Sequence, residues 1–256
     1  MSTSLAIKLL LTPALVALAT LAARRWGARI GGWLVGFPLT SAPVTAVLVL
    51  DRGPAFAAGA ALAIVLGVLS PAAFAVAYSR SASRLRWPAC LALGILAFAA
   101  GTLVLSHIEL PPLIAAVITA VALQLALALM PRPGPTMSAV RPPPWDLPAR
   151  MLVATVFVLA LTAFAGGFGP TLTGLLAPFP LFAAVLAVFA HLNDGPASAV
   201  DVLRGLVTGL YGFTAFFLVL GLLLLHAGPL AAFACATLAV LVTQSAALAL
   251  TRRTKG

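Results

Sequence analysis

Charge is what this sequence has least of. Of its 256 residues only five are Asp or Glu and 15 are Lys or Arg, 8% charged in all. A soluble domain carries about a quarter charged residues, so no segment here is polar enough to form one. Cysteine is scarce as well. Cys90 and Cys235 lie in apolar runs and form no CxxC pair, which argues against a metal or redox role and for two small buried hydrophobes. There is no Walker A sequence, no HExxH, no GxSxG and no cluster of carboxylates with histidines. ATP-driven work by this chain alone, enzymatic chemistry, a metal and a cofactor are therefore not expected. No basic surface interleaved with aromatics suggests nucleic acid.

What the chain does contain is apolar: 62% of residues are hydrophobic and the mean hydropathy is +1.15. This predicts an all-α polytopic membrane protein, a single integral-membrane domain over 1–256. A hydrocarbon core of about 30 Å takes roughly 20 apolar residues per helix. Nine such spans emerge, at 5–23, 29–50, 54–79, 87–106, 111–130, 149–167, 170–192, 196–225 and 228–250. The joints Gly53-Pro54, Pro111-Pro112, Gly169-Pro170, Gly195-Pro196 and Gly228-Pro229 separate neighbouring spans, since Pro suits the first helical position.

The net charge of +10 is sorted by these spans. One set of loops carries Arg24, Arg25 and Arg29, then Arg80, Arg84 and Arg86, then Arg132, Arg141 and Arg150, then Arg252, Arg253 and Lys255; the other carries Lys8 and Arg52. The positive-inside rule places the first set in the cytoplasm, with the N-terminus outside and the C-terminus inside a bacterial-type inner membrane. Trp26, Trp87 and Trp145 fall on the same side, as an aromatic belt would place them. Anionic lipid or a cytoplasmic partner is an alternative use of the arginines.

An offset of 142 positions lays Phe37-Pro38-Leu39 on Phe179-Pro180-Leu181, Gly53-Pro54-Ala55 on Gly195-Pro196-Ala197 and Gly67 on Gly209, without a gap from Gly32 to Tyr78. The same offset lays Lys8, Thr20 and Gly27 on Arg150, Thr162 and Gly169. The first apolar segment is then a repeat element and not a cleaved signal peptide. Repeat one covers 5–107 and repeat two 149–250. A linker helix at 111–130 and a cytoplasmic loop at 131–148 lie between them. Four helices plus one linker helix invert the second copy, giving a pseudo-two-fold axis in the membrane plane.

Both copies carry prolines near the middle of a span: Pro38 and Pro43 in the second helix, Pro178 and Pro180 in the seventh. Each removes a backbone donor, and non-helical backbone at that depth is tolerated where it is buried in protein or faces a water-filled cavity. A mere kink repaired by neighbours is the plainer alternative. Broken helices expose backbone N–H and C=O groups that favour anions and cations respectively. Thr40 or Ser41 is placed to cap the second half of the broken helix, with Thr45 one turn on. The predicted substrate site is Pro38, Leu39, Thr40, Ser41, Pro43, Thr45, Pro178 and Pro180.

Asp201 and Arg204 share a helix face and are candidates for coupling or gating, or Arg204 snorkels to headgroups. Asn193 and Asp194 read as turn residues, His191 and His107 as interfacial histidines, and Gln124, Thr243 and Gln244 as interhelical hydrogen-bonders. Gly205–Gly209, "GLVTG", has the spacing of close helix packing.

In its repeat layout and paired proline breaks the chain resembles the inverted-repeat secondary transporters with discontinuous helices, at superfamily level. That resemblance implies transport or export of a small molecule by rocking around a central site. The bilayer is the expected partner, and a homo-oligomer stays open. A non-transporting membrane assembly factor and an integral-membrane lipid-handling enzyme are the alternative functions.

Overall fold

The computed structural model describes residues 3–38, 41–132, 144–156, 159 and 179–253, and every regular element among them is a helix. In chain order these are α1 (Thr3–Trp26), α2 (Ala28–Val35), α3 (Ser41–Arg52), α4 (Pro54–Gly67), α5 (Leu69–Ser81), α6 (Trp87–Leu105), α7 (Pro112–Leu129), α8 (residues 146–156), α9 (Leu181–Asp194), α10 (Pro196–Leu223) and α11 (Gly228–Arg253).

Five stretches among the described residues are long and apolar enough to cross a bilayer: Pro54–Ser81, Trp87–Leu105, Pro112–Leu129, Pro196–Leu223 and Gly228–Ala246. They correspond to the expected spans 54–79, 87–106, 111–130, 196–225 and 228–250. The expected second span is divided into α2 and α3, of 8 and 12 residues. At 1.5 Å per residue these are about 12 and 18 Å long, so neither alone crosses about 30 Å of hydrocarbon. The expected spans 149–167 and 170–192 lie largely outside the described residues, as does the joint Gly169-Pro170.

The chain turns where glycine permits it. Gly53 and Gly195 have φ of 86° and 87°, and each is followed by Pro at the first turn of the next helix. This left-handed region disfavours side chains, and Pro has the backbone angle a helix start needs. The two stretches that follow, Pro54–Ser81 and Pro196–Leu223, are both 28 residues long. The first is divided at Val68 into α4 and α5. Pro71 has no N–H to give the carbonyl of Gly67, four residues back, and that lost bond is the local reason for the division.

These two stretches run in opposite directions. Arg80, at the end of α5, donates to the carbonyl of Leu129 at 3.2 Å; Arg204, near the start of α10, donates to that of Leu127 at 2.8 Å. The end of one and the start of the other therefore meet the same terminus of α7.

Helix α10 is the centre of the bundle, touching α2, α4, α5, α7, α9 and α11, and is buried on most of its faces. The peripheral helices α6, α7 and α11 turn Leu96, Val117 and Leu238 outward. An exterior of this kind suits lipid. Cys90 is buried, as its apolar run suggested; Cys235 is exposed, because it lies on the outer face of α11.

Candidate functional site

Helix α2 stops at Val35. The amides of Gly36 and Phe37 fold back on the carbonyls of Trp33 and Leu34, each at 3.1 Å, which tightens and ends the turn. Pro38 cannot donate, but its carbonyl accepts from Ala42 at 2.9 Å and so opens α3. Beside this interruption lies a cavity of about 290 Å³. Its walls include Phe37, Pro38 and Pro43 from the break, Phe216 of α10, and Thr237 and Val240 of α11.

The 142-residue offset of the sequence gives this place a comparison elsewhere in the bundle. It carries Phe37, Phe216 and Val240 onto Phe179, Phe74 and Phe98. Those three do pack together: Phe179 meets Phe74 at 5.9 Å and Phe98 at 5.3 Å, both edge to face. Where the offset sets Phe98, the wall of the space carries the smaller Val240.

A glycine stripe on α10 sets the depth of the site. Gly205, Gly209 and Gly212 follow at steps of four and three residues and so share a face. Gly205 lies against the backbone of Arg29 and Trp33, and Gly209 against that of Trp33 and Gly36; Gly32 of α2 meets the carbonyl of Val202. A Cβ on Gly209 would fall 2.6 Å from Trp33 O, and one on Gly36 would fall 2.5 Å from the Gly209 Cα. The GLVTG spacing therefore serves close packing, with a Gly-x-x-x-Gly pair of its own on the α2 side. Gly209 stands halfway along α10, so the break beside it sits at the middle of the bundle. Further along the stripe, the space over Gly212 is occupied by the side chain of Gln244, whose Nε2 donates to the carbonyl of Gly209 at 2.8 Å.

Pro38 and Pro43 line the cavity. Ser41 opens α3, and its carbonyl accepts from Thr45 Oγ1 at 2.9 Å; Thr45 is buried. Pro180 is buried and precedes α9, on the side of the Phe74–Phe98–Phe179 cluster and not at the cavity. The space therefore opens between the broken helix, α10 and α11, whereas the sequence pointed to a site between the second and seventh spans. Leu39, Thr40 and Pro178 lie outside the described residues. Asp201 is half-buried on α10. Arg204 turns inward to the carbonyls of Leu127, Met130 and Pro131 and so caps the C-terminal end of α7, where a cation offsets the helix dipole.

A second polar centre escaped the sequence reading. Asp146, fully buried at the start of α8, accepts from Arg24 Nη2 at 2.8 Å and Arg150 Nε at 2.9 Å on one oxygen, and from Asn193 Nδ2 at 2.6 Å on the other. Burial pushes its carboxyl up, but the bonds from Arg150 and Arg24, the charge of Arg150 and the bond from Asn193 outweigh this and hold it below the usual carboxylate range. Nearby Asp194 is raised, by burial. Arg24 and Arg150 were legible as loop charges; the signal for the network was the four-residue spacing of Asp146 and Arg150. Close by, Tyr78 Oη and His191 Nδ1 share a hydrogen bond of 3.2 Å, joining the ends of α5 and α9. Among the described residues no group of three or more His, Cys, Asp or Glu could hold a metal ion.

A bundle whose described elements are all helical, with an apolar exterior and five bilayer-length apolar stretches among the described residues, is the architecture of a multi-pass membrane protein. Comparison with known proteins returned no matching family model, no matching curated protein and no matching solved structure.

Proposed function

We propose that this chain is a secondary transporter or exporter of a small molecule, built from two inverted repeats, with its substrate site at the interrupted helix α2–α3. The observation that carries this reading is the position of the break: halfway along α10, beside a cavity of about 290 Å³. Discontinuous helices near the bilayer midplane are the recurring setting of transporter sites.

Three features support the inverted repeat. The two 28-residue stretches begin at equivalent Gly-Pro joints and run antiparallel. The Phe37 and Phe179 neighbourhoods use equivalent partners from equivalent helices. Gly209, the counterpart of Gly67, lies against the break of the first copy. The basic loops orient the bundle with its N-terminus outside and its C-terminus in the cytoplasm. Of the nine proposed spans, the first and second are α1 and the α2–α3 pair. Transport then proceeds by rocking one helix set against the other, with lipid as the surroundings and no cofactor.

The test is metabolite profiling of cells with and without the protein, followed by binding of the identified compound to Ser41→Ala and Thr40→Ala variants. The expected result is one compound class redistributed across the membrane and weaker binding by both variants. Normal binding by both would remove the site from the break. An unchanged metabolite profile with a stoichiometric co-purifying partner would replace transport by the assembly-factor reading.

A further inference from the structure

Three arginines from distant parts of the chain meet near the start of α10. Arg204 sends Nη1 to the carbonyls of Leu127, Met130 and Pro131, which brings it beside Arg132, the next residue along. Its neighbour Gly205 lies against the carbonyl of Arg29, in the first turn of α2. Arg29, Asp201 and Arg132 are the charges whose fields reach Arg204. Among the described residues, three guanidinium groups thus face one carboxylate, an excess of two positive charges.

The three are not used alike. Arg204 is half-buried and committed to the end of α7. Arg29 is half-buried and Arg132 exposed, and neither is hydrogen-bonded or ion-paired through its guanidinium to any described residue. By contrast, Arg24 and Arg150 are held by Asp146, Arg25 lies over Trp26, and Arg80 reaches Leu129. Orientation by positive charge accounts for the side on which loop arginines lie. It does not require three of them to meet, and like charges repel unless an anion lies among them.

The depth suits a headgroup. From Gly205 to its end at Leu223, α10 carries no charged residue. That run is about 28 Å long at 1.5 Å per residue, close to the hydrocarbon thickness of about 30 Å. Arg204 stands at its edge, where a bilayer has its phosphates. Arg29 opens α2 and Arg132 follows the end of α7, so all three come from places where helices begin or end.

We propose that Arg29 and Arg132, with the charge of Arg204 between them, bind the phosphate of an anionic lipid such as phosphatidylglycerol. A planar guanidinium can donate two parallel hydrogen bonds to a phosphate, and basic pockets between helices at the interface hold anionic headgroups. A zwitterionic headgroup brings its own cation and gains less from an excess of positive charge. Such a site requires a bilayer around the bundle, and it does not depend on transport or on the cavity beside the break.

The experiment places the full chain in nanodiscs of equal parts phosphatidylglycerol and phosphatidylcholine with the same acyl chains. Native mass spectrometry then counts the lipids that the released protein retains. The wild-type protein is expected to retain one phosphatidylglycerol in preference to phosphatidylcholine. Arg29→Gln and Arg132→Gln should each lower that preference about fivefold, the worth of one basic residue at a lipid surface. Arg84→Gln removes the same charge from the exposed turn between α5 and α6 and should leave the preference at the wild-type level. Equal losses in all three variants would mean diffuse attraction to a basic surface and would overturn the site. Arg132 is exposed and unbonded, so its variant keeps the fold; an unchanged preference there overturns the assignment even if Arg29→Gln does not fold. Excess inorganic phosphate should leave the lipid in place, because a free anion has no acyl chains to hold it at the site. Displacement of the lipid would make the occupant a soluble phosphate and overturn the lipid assignment. A wild-type protein without any headgroup preference overturns it as well.

Discussion

On the proposed repeat, replacing Val240 by Phe should make the wall beside the break resemble its counterpart in the other half. The template is Phe98, whose ring meets Phe179 at 5.3 Å within the cluster that the offset pairs with the cavity walls. In a soluble protein the extra carbons would be stabilising because they leave water. In a bilayer the separated helices already sit in hydrocarbon, so that contribution is absent and only packing remains. New edge-to-face contacts with Phe37 and Phe216 are worth about 0.5–1.5 kcal/mol each. Allowing for the ordering of the new ring, the expected net gain is about 1–2 kcal/mol. For a chain of this size each kcal/mol moves the midpoint by about 2–4 °C, so thermal unfolding should shift upward by about 2–8 °C. Small-molecule binding, measured in the same preparation, should be lost. Lower stability with intact binding would refute the reasoning, because it would mean that the space near Val240 is not the vacant counterpart of the Phe98 position.

Gly36→Ala should destabilise by about 1–3 kcal/mol or more, since its Cβ meets backbone that cannot yield; the nearest atom would be the Gly209 Cα at 2.5 Å. Gly59→Ala is the contrasting case: nothing lies within 4 Å of its Cβ position, so thermal unfolding should show no loss and up to about 1 kcal/mol of gain from helix propensity; equal effects of the two substitutions would contradict the close approach of α2 and α10. Asp146→Asn should cost about 3–5 kcal/mol, because it breaks a buried ion pair from one side. The pH dependence has a definite sign: a carboxyl held low in the folded state stabilises above its unfolded pKa, and that stability is lost as the pH falls through its depressed folded value. The wild-type protein should therefore lose stability below the ordinary carboxylate range in excess of Asp146→Asn, and parallel acid profiles for the two would show that this network is not the titrating element.

The helical class and the joints were legible because they are local. Gly53-Pro54 and Gly195-Pro196 need one residue with positive φ and one with a fixed φ, and only those residue types supply both. The interruption at Gly36–Pro38 was legible for the same reason, as was the tight packing at Gly205 and Gly209. The site was legible only in part. Pro38 and Pro43 name one wall, but Phe216, Thr237 and Val240 come from helices far along the chain. Which segments approach a broken helix depends on tertiary packing that no local pattern encodes. Asp146 was missed because it lies in a stretch that reads as loop. Its meaning comes from Arg24 and Asn193, 122 and 47 residues away.

On the proposed repeat, the two halves differ beside the break. The offset pairs Phe37 and Phe216 with Phe179 and Phe74, which do pack edge to face. The second half instead keeps Val240 for a ring, Gly212 for Ser70 and Gln244 for Thr102. Losing the ring makes space, losing the side chain at Gly212 admits the amide, and the amide adds an acceptor. The space of about 290 Å³ opens at the surface of the bundle, so lipid chains can enter it and no enclosed void is left. Pro43, Thr237 and Leu241 are exposed along its rim, so on the membrane reading lipid chains and an apolar small molecule share the same side entry.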